Sequence, residues 1–119
     1  MSGLIEALVV AALVTVMAFR FMHARQGPRL HDRVQAILDP YEGQQLSPDS
    51  LVILQAEAST AFHEILAGVG LTAGPWKLRV HADDVLGPVA RIHGPGGAVM
   101  AVADFEHRLK QGRIELDPL

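Results

Sequence analysis

The sequence predicts an α+β fold, in which a single N-terminal transmembrane helix is followed by a small cytoplasmic domain with a long helix packed on a three-stranded antiparallel meander. Three observations lead to this prediction. An uncharged apolar run stands near the N-terminus, helical periodicity follows in mid-chain, and beyond it apolar residues alternate with a period of two. With 119 residues, 50% of them hydrophobic, the chain has room for one small domain and an appendage.

The composition excludes several classes of protein. The chain has no cysteine, which rules out disulfide scaffolds, thiolate zinc sites, iron–sulfur clusters and cysteine nucleophiles. Its formal net charge is −3, and residues 34–119 carry six Lys and Arg against eleven Asp and Glu. Nucleic-acid binders need a basic surface that attracts phosphates, so no nucleic-acid partner is expected.

Residues 1–25 are predicted to form a transmembrane anchor helix. The run Ala7–Phe19 contains no charged residue. As a helix, the longer segment Leu4–Met22 would reach roughly 28 Å, close to the thickness of the hydrocarbon core of a bilayer. Glu6 and Arg20 flank the run where their charges can reach water. The lipid bilayer is therefore an expected partner.

Basic residues follow the apolar run on its C-terminal side. They are Arg20, Arg25, Arg29 and Arg33. By the positive-inside rule, the N-terminus is expected outside and the remainder of the chain in the cytoplasm. The predicted location is thus an inner membrane crossed once.

Small residues recur along one face of the predicted anchor helix. This stripe consists of Gly3, Ala7, Ala11, Thr15 and Ala18. Small side chains let a second membrane helix approach closely, although an alanine-rich composition produces the same spacing by itself. The expected partners are other membrane-protein subunits or further copies of the same chain.

Residues 26–46 are predicted to hold a short juxtamembrane helix and a linker. Gly27 and Pro28 end the membrane helix, because proline lacks a backbone donor and disfavours helix at the residue before it. Apolar residues at helical spacing predict a helix over His31–Leu38, and Tyr41–Leu46 is typical of a linker.

The soluble α+β domain is predicted over residues 47–119 and opens with a long helix. Ser47 is the N-cap candidate, and Pro48 occupies the first helical position. Apolar residues then recur at steps of three and four for about five turns. Gly68 or Gly70 is the expected C-cap.

After Gly74 and Pro75 the period changes to that of strands. Residues 76–82 alternate between apolar and polar side chains, and Val89–His93 is a second strand. The small apolar run Ala98–Ala103 is typical of a strand covered on both faces or of an inner strand of the sheet.

A short closing helix is predicted at the C-terminal end. Asp104 is its expected N-cap, Phe105–Gln111 its body and Gly112 its end. Residues 113–119 fit either an edge strand or a frayed tail.

The sequence shows no catalytic constellation, so the protein is not expected to be an enzyme. None of the serines or threonines lies in a nucleophile-elbow pattern. Asp83 and Asp84 are adjacent and point to opposite faces of a strand, so they cannot form an acid–base pair unless a turn redirects one of them. The loop of residues 94–97 lacks the lysine and the setting of a phosphate-binding loop. No cofactor is predicted.

A metal site is a weaker alternative. His81 and Asp83 share a strand face, and His93 on the next strand comes opposite them, which assembles a set that suits zinc or iron. Solvent-facing residues on the polar side of a strand give the same pattern, and the spacing matches no closed zinc motif. No metal is therefore predicted, and a metal-dependent or ligand-binding domain is a third hypothesis.

Five basic residues are predicted to share the solvent-facing side of the sheet, in an otherwise acidic domain. They are Lys77, Arg79, His81, Arg91 and His93. Such a patch docks an acidic partner or is only a solvated surface. The expected function is a non-enzymatic accessory or structural subunit of a respiratory, photosynthetic, secretory or transport complex in the inner membrane. The alternative is a membrane-tethered adaptor or self-assembling structural protein of a secretion apparatus or a membrane-containing virus.

Overall fold

Three helices and a three-stranded antiparallel sheet make up residues 29–119, the part of the chain that the computed structural model describes. The helices are α1 (Leu30–Leu38), α2 (Pro48–Gly68) and α3 (Val102–Lys110), and the strands are β1 (Lys77–Asp83), β2 (Gly87–His93) and β3 (Val99–Ala101). The predicted α+β class is confirmed for these residues.

The predicted anchor helix, residues 1–25, lies outside the described residues. None of the helices within residues 29–119 has both the length and the apolar character that a membrane crossing requires.

Helix α2 begins where the sequence predicts. Ser47 has an extended backbone, and its hydroxyl accepts a hydrogen bond of 3.2 Å from the backbone N–H of Ser50. Pro48 follows at the first helical position, where no backbone donor is needed. The buried stripe of α2 consists of Leu54, Ala58, Ala61, Phe62 and Leu66. Burial of each of its larger side chains stabilises the fold by about 1.5–3 kcal/mol.

Helix α1 packs into the same core as α2 and the sheet. Its buried residues, at helical spacing, are Leu30, Val34 and Leu38. The segment after α1 is also attached to the sheet, because the backbone N–H of Gly43 donates to the carbonyl of Leu86 in the β1–β2 turn. The short helix is therefore part of one folded unit with residues 47–119.

The sheet has the order β1-β2-β3, with β2 in the centre. Leu78 lies opposite Ile92, and Ile92 lies opposite Met100 on β3. Leu78 and Ile92 are buried in the core. Because successive strand residues point to opposite faces, Arg79 and Arg91 lie on the other, exposed side of the sheet.

One side chain of α2 covers the outer edge of β1. The amide nitrogen of Gln55 donates to the carbonyl of Leu78 at 2.6 Å, and its amide oxygen accepts from the N–H of Val80 at 2.6 Å. A carboxamide carries a donor and an acceptor side by side, as a peptide group does. Gln55 therefore makes the two bonds that a neighbouring strand would make, and it fixes α2 to the sheet.

The end of the sheet differs from the prediction over Ala98–Ala103. Strand β3 is only three residues long and forms the edge of the sheet, so it is not an inner strand. Helix α3 begins earlier than predicted because Val102 and Phe105, three residues apart, are both buried on one helical face. Asp104 therefore lies in the first turn of α3 and does not cap it. The N-cap position belongs to Ala101, which forms no capping side-chain bond.

The C-terminal residues 113–119 return to the loop that follows α2. Leu71 forms an isolated antiparallel bridge with Pro118, and the N–H of Thr72 donates to the carbonyl of Asp117 at 2.9 Å. Ile114 is buried in the core. The tail thus forms a single bridge outside the three-stranded sheet.

We expect Gln55→Ala to lower the free energy of unfolding by about 1–3 kcal/mol, because the carbonyl of Leu78 and the N–H of Val80 lose their partner at a part-buried position. Urea unfolding of the full-length protein, followed by the fluorescence of Trp76, measures the change. Gln45→Ala, at an exposed position, is the matched control. Equal stability of the two variants would contradict the edge role of Gln55.

Candidate interaction surface

The five residues of the predicted docking patch lie on one side of the sheet, which we call the basic face. They are Lys77, Arg79, His81, Arg91 and His93. In the register of β1 and β2, Lys77 lies opposite His93, and Arg79 lies directly opposite Arg91. His93 is half-buried and the other four are exposed.

The positive charges of the basic face are not compensated by ion pairs within residues 29–119. The ion pair found in this part of the chain joins Arg33 of α1 to Glu64 of α2 at 2.7 Å. Like charges directly opposite each other on neighbouring strands are destabilising, and Arg79 and Arg91 are such a pair. The pairing of Arg79 with Arg91 is therefore electrostatically unfavourable by itself.

Two of the three residues in the metal hypothesis meet, and the third does not. The Nε2 atoms of His81 and His93 lie 3.2 Å apart, with ring centroids 5.4 Å apart. Asp83 instead turns its carboxylate towards the β1–β2 turn, where Oδ1 accepts from the N–H groups of Val85 and Leu86, both at 2.8 Å. In the described part of the chain, no three His, Asp or Glu side chains converge as metal ligands.

The backbone N–H groups of the turn also lower the pKa of Asp83. The backbone N–H of Leu86, followed by that of Val85, holds the pKa of the Asp83 carboxyl below its ordinary value of 3.8, and Arg91 adds a smaller electrostatic effect. Desolvation raises the pKa, with an effect smaller than those of the two N–H groups and larger than that of Arg91. The turn thus uses the Asp83 carboxylate as a structural acceptor.

The predicted juxtamembrane arginines fall into two groups. Arg20 and Arg25 lie outside the described residues, as do all five members of the small-residue stripe. Arg33 is tied to Glu64, as described above. Arg29 has a left-handed backbone conformation, with φ at 111°, immediately before α1 begins.

Glu106 of α3 holds the start of α1. Its Oε2 atom accepts hydrogen bonds from the backbone N–H of Arg29, at 2.8 Å, and from that of Leu30. Helix N-termini have unsatisfied donors and a partial positive charge, so a carboxylate is favoured there. Sequence patterns did not reveal this contact, because Glu106 comes from an element 76 positions away from Leu30.

Packing explains the glycine at the start of the loop of residues 94–97. A Cβ atom on Gly94 would lie 2.3 Å from Cζ3 of Trp76. The Trp76 ring in turn packs on Phe105, with centroids 5.3 Å apart. Gly94 therefore makes room for an aromatic side chain, a role that needs no bound phosphate.

Exposed aliphatic side chains form a feature that the sequence analysis missed. Val85 and Leu86, in the turn that follows β1, are 80% and 58% exposed, and Val52 and Ile53 of α2 are 68% and 60% exposed. The sequence contained a signal for Val85 and Leu86, because two adjacent aliphatic residues in a short hairpin turn cannot both be buried.

Comparison with known proteins found no relative. No protein-family model, no curated protein and no solved structure matches the chain.

We expect Glu106→Ala to lower the free energy of unfolding by about 1–2 kcal/mol, because two backbone donors at the start of α1 lose a charged acceptor. Glu106→Gln keeps an acceptor oxygen without the charge and should lose less. Urea unfolding of the full-length protein measures both variants. Glu57→Ala, exposed on α2, is the control, and a loss as large in this control would argue against the capping role of Glu106.

We expect the β1–β2 turn to loosen in acid. Because the folded pKa of Asp83 lies below the unfolded value near 3.8, its carboxylate stabilises the turn above that pH and loses this effect as the pH falls through the folded pKa. Amide NMR shifts of Val85 and Leu86 should titrate with a midpoint below 3.8. The titration should disappear in Asp83→Asn and persist in Asp84→Asn, and a midpoint at or above 3.8 would refute the assignment.

Proposed function

We propose that the protein is a non-enzymatic accessory subunit of a larger inner-membrane complex. In this proposal residues 1–25 anchor the chain, and the domain of residues 29–119 braces partner subunits on the cytoplasmic side. The observation that carries the proposal is the uncharged run Ala7–Phe19, whose length and composition suit a membrane-spanning helix. One helix alone cannot line a conduit through the bilayer, so the contribution of the chain falls to the contacts that it makes.

The orientation follows from the distribution of charge. Arginines at positions 20, 25, 29 and 33 all follow the apolar run. The positive-inside rule then assigns the domain to the cytoplasm.

The basic face supports docking of a partner with an acidic surface. Arg79 and Arg91 are held opposite each other on neighbouring strands, and burial of this pair against carboxylates would relieve their repulsion. The rest of the domain is acidic, because residues 34–119 carry five more acidic than basic residues. An acidic partner is thus attracted to one face and repelled elsewhere, which favours a single orientation.

The β1–β2 turn supplies apolar contact area next to the basic face. Val85 and Leu86 follow β1 directly and project into solvent. Covering an aliphatic side chain of this size contributes about 1.5–3 kcal/mol. Aliphatic anchors beside charged residues are typical of specific protein interfaces, in which burial gives affinity and charges set orientation.

The proposal is tested by a pull-down of the full-length protein from its native membrane in mild detergent, with mass spectrometry of the proteins that accompany it. We expect a defined set of membrane subunits with the native sequence. Reversing the two opposed arginines, Arg79→Glu with Arg91→Glu, should deplete this set at least about tenfold, because repulsion replaces attraction at the interface.

Arg108→Glu is the matched control, since Arg108 lies on α3 and outside the basic face; this variant should retain the partners. Recovery of the chain alone as a monomer would refute the proposal. Recovery of the chain alone as a multimer that Ala11→Leu disrupts would favour the self-assembling alternative, in which the small-residue stripe joins copies of the chain.

A further inference from the structure

We infer that His81 and His93 form a two-histidine binding site for a divalent transition metal, and that Zn²⁺ suits their geometry. The two residues stand on neighbouring strands, His81 at the exposed end of β1 and His93 at the last position of β2. Their Nε2 atoms point at each other at 3.2 Å. The inference concerns the domain alone and goes beyond the proposed accessory role.

The separation of the two nitrogen atoms matches that of two ligands on one metal ion. Zinc–imidazole bonds of about 2.0–2.1 Å at a tetrahedral angle place the two nitrogen atoms roughly 3.3–3.4 Å apart. The observed 3.2 Å between the Nε2 atoms differs from this by only about 0.1–0.2 Å. A metal ion therefore fits with little change in the distance between the Nε2 atoms, once the exposed His81 ring and the half-buried His93 ring turn so that both lone pairs point at the ion.

Metal entry requires one of the two rings to change its tautomer, with no net release of protons from the pair. In the absence of a metal, one Nε2 carries a proton and donates it to the lone pair of the other. When the metal binds, both Nε2 lone pairs coordinate it: the Nε2 proton of the donor ring leaves to solvent and Nδ1 of that ring takes up one proton in exchange, so each ring ends as the neutral Nδ1–H tautomer. No oxidation or reduction is involved.

The remaining coordination positions are open to solvent. Asp83, on the same strand as His81, uses Oδ1 for the two N–H groups of the turn. The cationic side chains of Lys77, Arg79 and Arg91 share the face, and they weaken binding of a cation but favour an anionic ligand at an open position. This describes an exposed, exchangeable site and not a closed structural zinc site.

The test is calorimetric titration of the untagged, full-length protein in detergent with ZnCl₂ alone. We expect one tightest-bound zinc ion per chain. His81→Ala and His93→Ala should each weaken its binding at least about tenfold, because loss of a direct ligand exceeds the effect of losing a group that only orients one. Both positions are outside the core, so circular dichroism should show an unchanged fold.

His107→Ala is the matched control, because His107 is exposed on α3 and away from the sheet; its zinc affinity should stay within about twofold of the native value. A Cu²⁺-loaded sample provides a second readout, since its electron paramagnetic resonance spectrum should show coupling to two imidazole nitrogens in the native chain and to one in either single variant. Zinc affinity that is indifferent to His81→Ala and His93→Ala, or a spectrum unchanged in these variants, would overturn the site.

Discussion

The contact between Phe62 and Phe105 is the constraint on which the rest of the domain depends. Both rings are fully buried, and they meet edge to face with centroids 5.6 Å apart, which joins α2 to α3. Phe105 also packs on Trp76, immediately before β1, so one ring connects two helices and the start of the sheet. The early onset of α3 follows from this contact, because Phe105 must reach the core from a helix that also buries Val102. Aromatic pairs of this kind contribute beyond their buried area.

Sequence patterns predicted the elements whose signals come from neighbouring residues in the chain. Ser47, Pro48 and the apolar stripe of α2 are adjacent signals that act on one helix, and the alternation along β1 reports a single half-buried face. The onset of α3 was missed because a short apolar run fits a strand or a buried helix face equally, and only packing against Phe62 decides between them. The contact of Glu106 with the start of α1 joins residues 76 positions apart in the sequence, so no window of neighbouring residues contains it. The approach of His81 to His93 could be anticipated, because the two residues lie on strands joined by one short turn.

The basic face and the β1–β2 turn form one surface whose charged part lies on the strands and whose apolar part lies at one end, in the turn. Residues that share a strand face are fixed by register, so the cations of β1 and β2 cannot separate without breaking the sheet. Asp83 stabilises the turn at the end of that face, because its Oδ1 atom accepts from the backbone N–H groups of Val85 and Leu86. The same rigidity that holds Arg79 against Arg91 also brings the two imidazoles together. The repulsion between Arg79 and Arg91 lowers stability, but the sheet holds both positions in a fixed arrangement. Such an arrangement favours recognition over stability.

Gln55 has a consequence for how chains of this protein can associate. An edge strand with unoccupied N–H and C=O groups is a template on which another chain can add a strand, and repeated addition leads to fibres. At the outer edge of β1, the carbonyl of Leu78 and the N–H of Val80 already form hydrogen bonds with the Gln55 side chain. An incoming strand would have to expel this side chain and push α2 aside. At high local concentration, growth of an intermolecular sheet from β1 is thus opposed by a single carboxamide.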